Sequence, residues 1–306
     1  MRIAFFTEGQ WQGKVPRNTT NMRTEMAWMC TLDADHYNIH NPNLDSDYDL
    51  GICIIPKMNP IFDIQTIKKR CKKLASMQEG PHWFFQDYDL PKQIEFYNIL
   101  DSMDFLFVHN KIDKKYFEGL TGKECKVMKS LMIEDLVCNQ PEVERRSVII
   151  GGNFCSWYGG FDSYMVAREL SENISVPTMG RKIEGEEQME GLIHLPYMPW
   201  TDWIKVLNNY KYGVHLMRTH AAGTFALNCA YLGIPCIGYE GLDSQELCHP
   251  WTTVKLGDLT KAKEIAKKLR EDSDFYEGMS TLTKAKYKEF YIEDKFREDF
   301  INGLDA

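Results

Sequence analysis

The chain has 306 residues, of which 43% are hydrophobic and 12% aromatic, and its net charge is −8. This length and apolar content suffice for one large core or two medium ones, which excludes a chain that is disordered throughout. The acidic balance excludes a surface that is basic all over, although a local basic groove remains compatible with it.

The nine cysteines are scattered, odd in number and without a CxxC pair. This pattern predicts buried, reduced thiols in a reducing compartment, and therefore a cytoplasmic protein. Neither Cys nor His shows ligand spacing, so no structural metal site is expected. The start MRIAFF passes directly into polar TEGQ, and no run of 18 apolar residues occurs, so neither a secretory signal nor a membrane span is expected.

Short apolar runs alternate with amphipathic segments through the first half of the chain. The predicted elements are a strand at 3–9, a helix at 18–30 capped by Asn18 or Thr19, a strand at 50–56, a helix at 62–77, a strand at 82–86, a helix at 91–103, a strand at 104–110, a short helix, and a strand at 125–130. Within 62–77, Ile64, Ile67, Cys71 and Leu74 share one helical face, and the lysines lie on the other.

The pattern lapses into a polar, proline-containing stretch at 132–146, which is typical of a linker, and then restarts. The predicted elements beyond it are strands beginning at 146, 176, 192, 212 and 234, helices at 161–172, 200–210 and from 224, and a helical last forty residues. Alternation of this kind predicts parallel sheets with right-handed crossovers. The expected fold class is α/β, with two doubly wound Rossmann-like domains facing a cleft.

Two carboxylates follow the predicted strand at 82–86, in the stretch HWFFQDYDLP. Ligands of open parallel sheets bind beyond the carboxyl ends of the strands. Asp87 and Asp89 therefore lie at a candidate ligand site, and a helix cap or turn residue before Pro91 is the alternative interpretation of Asp87. Asp89 is the better turn residue. The DYD pattern also matches a metal motif, but such short acidic patterns occur by chance, so a divalent metal is optional.

The segment 212–239 predicts a strand, a loop of small residues and a helix that opens at Thr224. Small residues at 221–223 let a phosphate approach the backbone, and the free amides and dipole of a helix start favour an anion. Arg218 and His220 would add side-chain donors. An ordinary strand–loop–helix unit is the alternative interpretation.

Two further loops after strands are suited to anions. Gly151 and Gly152 would allow the backbone to approach a ligand, and Arg181 with Lys182 follows another predicted strand. Neither GxGxxG nor GxxxxGK[ST] spacing is present, which weighs against a dinucleotide oxidoreductase or a kinase.

The long polar loop after the first strand carries Lys14, Arg17 and Arg23, with Trp11 between the glycines. Positive charge beside an aromatic ring suits a phosphate backbone or a stacked base, and a solvated loop is equally compatible. Glu8 in the same loop could orient an acceptor hydroxyl. The lysine-rich stretch 68–73 is interpreted as a solvated helix face, and as a DNA-backbone contact if it borders the cleft.

The stretch THAAGTFALNCAYLGIPCIGYEG resembles the donor-binding motif of GT-B glycosyltransferases, and MRIAFF, FFQDYDLP and VIIGGNFCSW resemble segments of the bacteriophage DNA glycosyltransferases that act on 5-hydroxymethylcytosine. The resemblance implies an amino-terminal acceptor domain (1–140), a nucleotide-sugar domain (147–285) and a terminal helix (286–306) that returns to the first domain. It implies inverting transfer with Asp87 as base, a UDP-sugar donor, double-stranded DNA as acceptor and, for a phage protein, a host-cytoplasmic location.

Residues of the site follow from the resemblance and the loops together. The donor residues are Gly152, Asn153, Arg181, Lys182, Arg218, His220, Gly223, Thr224 and Asn228, and the acceptor residues are Glu8, Lys14, Arg17 and Arg23. The arginine and glutamate that the family carries on its donor helix are replaced by Phe225 and Asn228, which leaves the donor's identity open. A carbohydrate acceptor, or a catalytically silent nucleotide-sugar-binding protein, are the alternatives.

Overall fold

The computed structural model describes residues 1–155, 157–177 and 184–305. The predicted donor residues Arg181 and Lys182 lie outside the described residues. Among the helices that are described, none is long and apolar enough to cross a membrane.

The first domain is built on a sheet in which the described part of the chain places seven strands, in the order β2-β3-β1-β4-β5-β6-β7. The strands are β1 Ile3–Thr7, β2 Gly13–Lys14, β3 Asp35–Asn38, β4 Tyr48–Ile55, β5 Cys71–Gln78, β6 Phe105–Val108 and β7 Cys125–Val127. All pairs are parallel except β2 with β3. The apolar runs of β1 and β6 are buried along their whole length, as strands covered on both faces require.

The helices of this domain cover both faces of the sheet. They are α1 Thr24–Thr31, α2 Ile64–Lys68, α3 Trp83–Gln86, α4 Leu90–Asp101 and α5 Lys111–Thr121. Helix α1 begins later than predicted: residues 16–19 form a turn, and Arg23 precedes the helix. The side chain of Asp89 accepts a hydrogen bond from the backbone of Lys92 at 2.9 Å, which confirms Asp89 as a turn and cap residue.

Two predictions in this domain were wrong. The helix predicted at 62–77 is only the short α2, and its second half is the strand β5; the strand predicted at 82–86 is the helical turn α3. The apolar residues at 64, 67, 71 and 74 have helical spacing. β5 is buried on both faces from Leu74 to Gln78, so it lacks the alternation of polar and apolar residues that would have indicated a strand. The lysines at 72 and 73 lie at the amino end of β5, opposite the end at which ligands bind, so 68–73 is not a helix face bordering the cleft.

The second domain repeats the architecture with, in the described ranges, a parallel sheet of six strands in the order β10-β9-β8-β11-β12-β13. The strands are β8 Arg146–Ile150, β9 Ile174–Pro177, β10 Leu192–Leu195, β11 Tyr210–His215, β12 Cys236–Tyr239 and β13 Thr253–Val254. The helices are α6 Gly160–Ala167, α7 Trp200–Leu207, α8 Thr224–Leu232, α9 Asp243–Cys248, α10 Leu259–Glu271, α11 Ser273–Phe290 and α12 Glu293–Asp305. The predicted class, two doubly wound parallel-sheet domains, is confirmed.

Helix α12 returns to the first domain, as predicted. Phe300 is buried there and stacks on Phe107 of β6, with 5.7 Å between the ring centroids. Arg297 donates to the carbonyl of Thr31 at 2.8 Å, and Asp299 pairs with Lys129 at 3.0 Å. The apolar stack supplies the attachment, because exposed ion pairs contribute little.

Replacing Phe300 by alanine should destabilise the first domain by about 3 kcal/mol, since a buried phenyl ring and its stacking partner lose contact. The neighbouring Ile301 is 45% exposed and provides the control, because I301A should change the free energy of unfolding by less than about 0.5 kcal/mol. Urea unfolding of both variants measures the difference. Equal stability of F300A and I301A would contradict the docking of α12.

Candidate functional site

The carboxyl ends of the two sheets meet, and loops from both domains bind each other there. Asn110, after β6, donates from Nδ2 to the carbonyl of His220 at 2.9 Å. Ser130, after β7, accepts a hydrogen bond at Oγ from the backbone N–H of Gly223 at 3.1 Å. We call this contact region, defined by Asn110, Ser130, His220 and Gly223, the domain seam.

Gly223 is held closely from both sides at the amino end of α8. The carbonyl of Gly223 accepts a hydrogen bond from Oγ of Ser244 at 2.6 Å. A Cβ added at position 223 would lie 2.0 Å from Oγ of Ser244. Only glycine fits this position without movement. The exposed Thr224 then opens a nine-residue helix whose dipole favours an anion at this end.

Asp243 lies under the same loop. Its Oδ2 accepts from the backbone of Ser130 at 3.4 Å, and burial raises the pKa of this carboxyl to about 6. A carboxylate is therefore less favoured here than in water, and the environment of the loop is partly desolvated.

The loop after β8 approaches the same helix. A Cβ on Gly151 would lie 2.6 Å from both the ring of His215 and the ring of Phe225, and a Cβ on Gly152 would lie 2.8 Å from Tyr158. Asn153 is buried and uses its Oδ1 to accept from the backbone of Cys155 at 3.2 Å. Both glycines are therefore required by close packing in this structure, whatever ligand binds.

His215 is a residue that the sequence did not single out, since a histidine in an apolar strand suggests a satisfied core residue. It ends β11, is 5% exposed, and neither ring nitrogen has a hydrogen-bond partner among the described residues. Burial lowers its pKa to about 4, so the ring is neutral at physiological pH. Neutral imidazole with unused hydrogen-bonding capacity beside Gly151 is costly unless a ligand or water supplies the partner.

The remaining predicted donor residues have partners in the protein. Arg218 is exposed and pairs with Asp162 at 3.3 Å. The carbonyl oxygen of Asn228 faces the indole N–H of Trp200 at 3.5 Å inside the packed contact between α7 and α8. Burial lowers the pKa of His220, and the charge of His82 acts in the same direction, while Asp113 opposes both.

The charged residues predicted to bind the acceptor are engaged in ion pairs. Lys14 contacts Asp33 and Asp35 at 3.0 and 3.2 Å, and Arg23 contacts Glu25 at 2.8 Å. Arg17 donates to both carboxylate oxygens of Glu293 on α12, at 2.8 and 2.7 Å. Arg17 thus joins the first loop to the terminal helix.

The same loop continues along the second domain. Asn21 donates from Nδ2 to the hydroxyl of Tyr197 at 3.0 Å, and the backbone N–H of Thr201 donates to the carbonyl of Thr20 at 3.0 Å. Glu8, at the start of the loop, is exposed and lies 3.8 Å from His40. The segment therefore serves as an interdomain contact as well as a loop at a strand end.

Asp87 follows the helical turn α3 rather than a strand, which corrects the predicted position of this carboxylate. Its side chain is exposed, and the described residues provide no hydrogen-bond partner for it. Five residues earlier, His82 contacts the buried Asp113 at 2.7 Å. Sequence reasoning missed this pair because the two residues are far apart in the chain.

Within the described residues, no three His, Cys, Asp or Glu side chains come together as a metal site would require. A surface depression lined by Arg145, Lys284 and Lys288 lies at the carboxyl end of α8, away from the seam. The seam, with its amide-rich loops, is the better candidate for a ligand site.

If the loop at the start of α8 binds a nucleoside diphosphate, Gly223→Ala should weaken UDP binding by roughly tenfold or more, because the new methyl group displaces this loop. Adding Ser244→Ala removes the closest atom, so the double variant should recover part of the affinity. Titration calorimetry measures both. The control is Gly278→Ala on α11, where an added Cβ meets nothing within 4 Å. It should leave UDP affinity unchanged and, if anything, stabilise the helix. Unaltered UDP binding in G223A would contradict the assignment of this loop.

No protein-family model matches the chain, and a search of curated proteins finds no match. Solved structures do match. HepE from Anabaena in complex with UDP and glucose has a TM-score of 0.69 at 10% identity, covering 100% of this chain and 99% of HepE.

Sucrose-phosphate synthase from Thermosynechococcus elongatus has a TM-score of 0.65 at 12% identity, over 84% of this chain and 72% of that protein. A Staphylococcus aureus TarM variant in complex with Fondaparinux, alpha-GlcNAc-glycerol and UDP has a TM-score of 0.63 at 10% identity, over 84% of this chain. The chain spans about half the length of TarM, 55%. At these identities the likeness shows the architecture, and the chain therefore has the GT-B fold.

Proposed function

We propose that this protein is a glycosyltransferase that moves a sugar from a UDP-sugar to a hydroxyl group. The observation that carries the proposal is the convergence, at the domain seam of a GT-B fold, of the amino end of α8, the tightly packed Gly151 and Gly223, and the unpartnered His215. The binding of UDP and of UDP-glucose in structures of HepE supports the choice of donor.

In this proposal the diphosphate lies at the amino end of α8, beside the exposed Thr224. Arg218 offsets its negative charge as the sugar leaves, and the neutral ring of His220 can donate a hydrogen bond, so that metal assistance is optional. Gly152 and Asn153 border the site on the β8 side, and Asn228 faces the ribose after its contact with Trp200 opens. Arg181 and Lys182 complete the donor set proposed from the sequence.

Two classes of acceptor are proposed. The resemblance of the sequence to phage enzymes favours 5-hydroxymethylcytosine in double-stranded DNA, with Glu8, Lys14, Arg17 and Arg23 on the acceptor side. One observation favours a carbohydrate hydroxyl instead: the cations that would contact a DNA backbone already form ion pairs within the protein. The carbohydrate ligands bound to the TarM variant agree with this second candidate.

Calorimetry with UDP, followed by a turnover assay, tests the function. We expect UDP to bind with micromolar affinity, and UDP-glucose, UDP-galactose or UDP-N-acetylglucosamine to be consumed when a matching acceptor is present. Acceptors are oligonucleotides with 5-hydroxymethylcytosine, the same oligonucleotides with cytosine, and a panel of oligosaccharides. A mass increase identifies the acceptor class.

Absence of UDP binding would refute the proposed function. Binding without consumption of any donor would instead indicate a catalytically silent nucleotide-sugar-binding protein. Binding to DNA should weaken steeply with salt, whereas a carbohydrate acceptor should be insensitive to it.

Asp87 is the base that the sequence resemblance proposes, and a single carboxylate on the acceptor side predicts inversion at the anomeric carbon. If Asp87 has this role, Asp87→Asn should lower kcat by roughly 10²–10⁴-fold and leave UDP affinity within about twofold. Asp89→Asn is the control, because asparagine caps α4 as well as aspartate does. Equal kcat in the two variants would remove Asp87 from the mechanism.

A further inference from the structure

The segment after β5 presents an imidazole that is fixed by a buried carboxylate. Nδ1 of His82 lies 2.7 Å from Oδ1 of Asp113, and the backbone N–H of His82 donates to the same oxygen at 3.2 Å. The ring also stacks on Tyr116, with 4.4 Å between centroids. Because a carboxylate oxygen accepts, a neutral His82 that donates to it does so from Nδ1, and its Nε2 then presents a lone pair.

Oδ2 of Asp113 connects this pair, through Asn110, to the loop 218–223 before α8, which we call the donor loop. Asn110 donates from Nδ2 to Oδ2 of Asp113 at 2.9 Å and to the carbonyl of His220 at 2.9 Å. Its Oδ1 meanwhile accepts from the backbone of Asp113 at 2.8 Å, as the cap of α5. Asn110 therefore fixes the carboxylate from two directions and links it across the domain seam.

His82 also lies where an acceptor could reach it. Its side chain is 21% exposed, whereas that of Asp113 is 2% exposed. Asn110 joins Asp113, the partner of His82, to the carbonyl of His220. A chain of hydrogen bonds therefore connects His82 to the loop before α8. Asp87, by contrast, is exposed and has no hydrogen-bond partner among the residues described, so nothing holds it in one orientation.

We propose that His82 is the catalytic base that removes the proton of the acceptor hydroxyl, with Asp113 and Asn110 as positioning residues. This inference rests on the proposed glycosyl transfer and competes with Asp87 for one role in it. The geometry is that of a base oriented by a third group, which general base catalysis requires.

In the proposed step, the acceptor O–H bond breaks and its proton passes to Nε2 of His82. The acceptor oxygen forms a bond to C1 of the sugar while the bond from C1 to the β-phosphate oxygen breaks, and that electron pair leaves with UDP. Asp113 stabilises the imidazolium, which then releases the proton to solvent.

The chain contains a matched control pair. On β10, the outermost strand of the second sheet, Nε2 of His194 contacts Oε2 of Glu186 at 2.6 Å, with side-chain exposures of 22% and 2%. The two histidine–carboxylate pairs are alike in distance and burial. Losing either one should cost similar stability, and only the loss of His82 should affect turnover.

The test compares His82→Asn, Asp113→Asn, His194→Asn and Asp87→Asn in the full chain. We expect H82N to lower the consumption of the active UDP-sugar by roughly 10²–10⁴-fold, with UDP affinity within about twofold of the parent. D113N should fall between H82N and the parent, and H194N should match the parent. Thermal unfolding checks that all four variants are folded.

A second measurement does not depend on turnover. Nitrogen-15 NMR of labelled histidine should show neutral His82 protonated at Nδ1, and D113N should shift it towards the Nε2–H tautomer. A neutral His82 protonated at Nε2 would overturn the proposal, because that nitrogen could not accept a proton.

The outcomes distinguish a failure of the role of His82 from a failure of the proposed function. Full turnover in H82N with a loss in D87N would overturn the role of His82 and leave the glycosyltransferase standing. Failure of the parent protein to bind UDP would refute the proposed function, and the role of His82 with it.

Discussion

Hydrogen bonds between side chains of the first domain and the backbone of the loop before α8 hold the candidate site together. Oγ of Ser130 accepts a hydrogen bond from the N–H of Gly223, and Asn110 donates to the carbonyl of His220. Because backbone groups are engaged, these contacts fix the loop's conformation rather than the orientation of single side chains. The loop at the start of α8 is thereby positioned by both domains, and a change in either domain affects this loop directly.

Close packing limits the composition of the strand ends. Gly151 and Gly223 leave no space for a Cβ, and His215 and Ser244 occupy the space that side chains would take. Among the described residues, the strand ends therefore present the imidazole of His215 and the amino end of α8, without a cluster of three metal-ligating side chains. The raised pKa of Asp243 and the lowered pKa of His215 both result from burial, so the two groups nearest the loop tend towards neutrality.

Local patterns predicted the architecture well, but they did not predict contacts between residues that are far apart in the chain. The alternation of strands and helices gave both sheets, and the run around Gly223 gave the helix start that faces the seam. β5 was mistaken for a helix because a strand buried on both faces has no alternation to distinguish it. The contacts of His82 with Asp113 and of Arg17 with Glu293 join residues 31 and 276 positions apart, which neither periodicity nor motif spacing can reveal.

The return of α12 has a mechanical consequence. The chain crosses between domains twice, once through the stretch 132–146 and again between α11 and α12, where Phe300 anchors the second crossing on β6. Two covalent connections restrict sliding and twisting of one domain against the other. Rotation about the line that joins them is then the least restricted motion. Opening and closing of the cleft would then follow one hinge rotation, whose stiffness depends on how tightly α12 packs on the first domain.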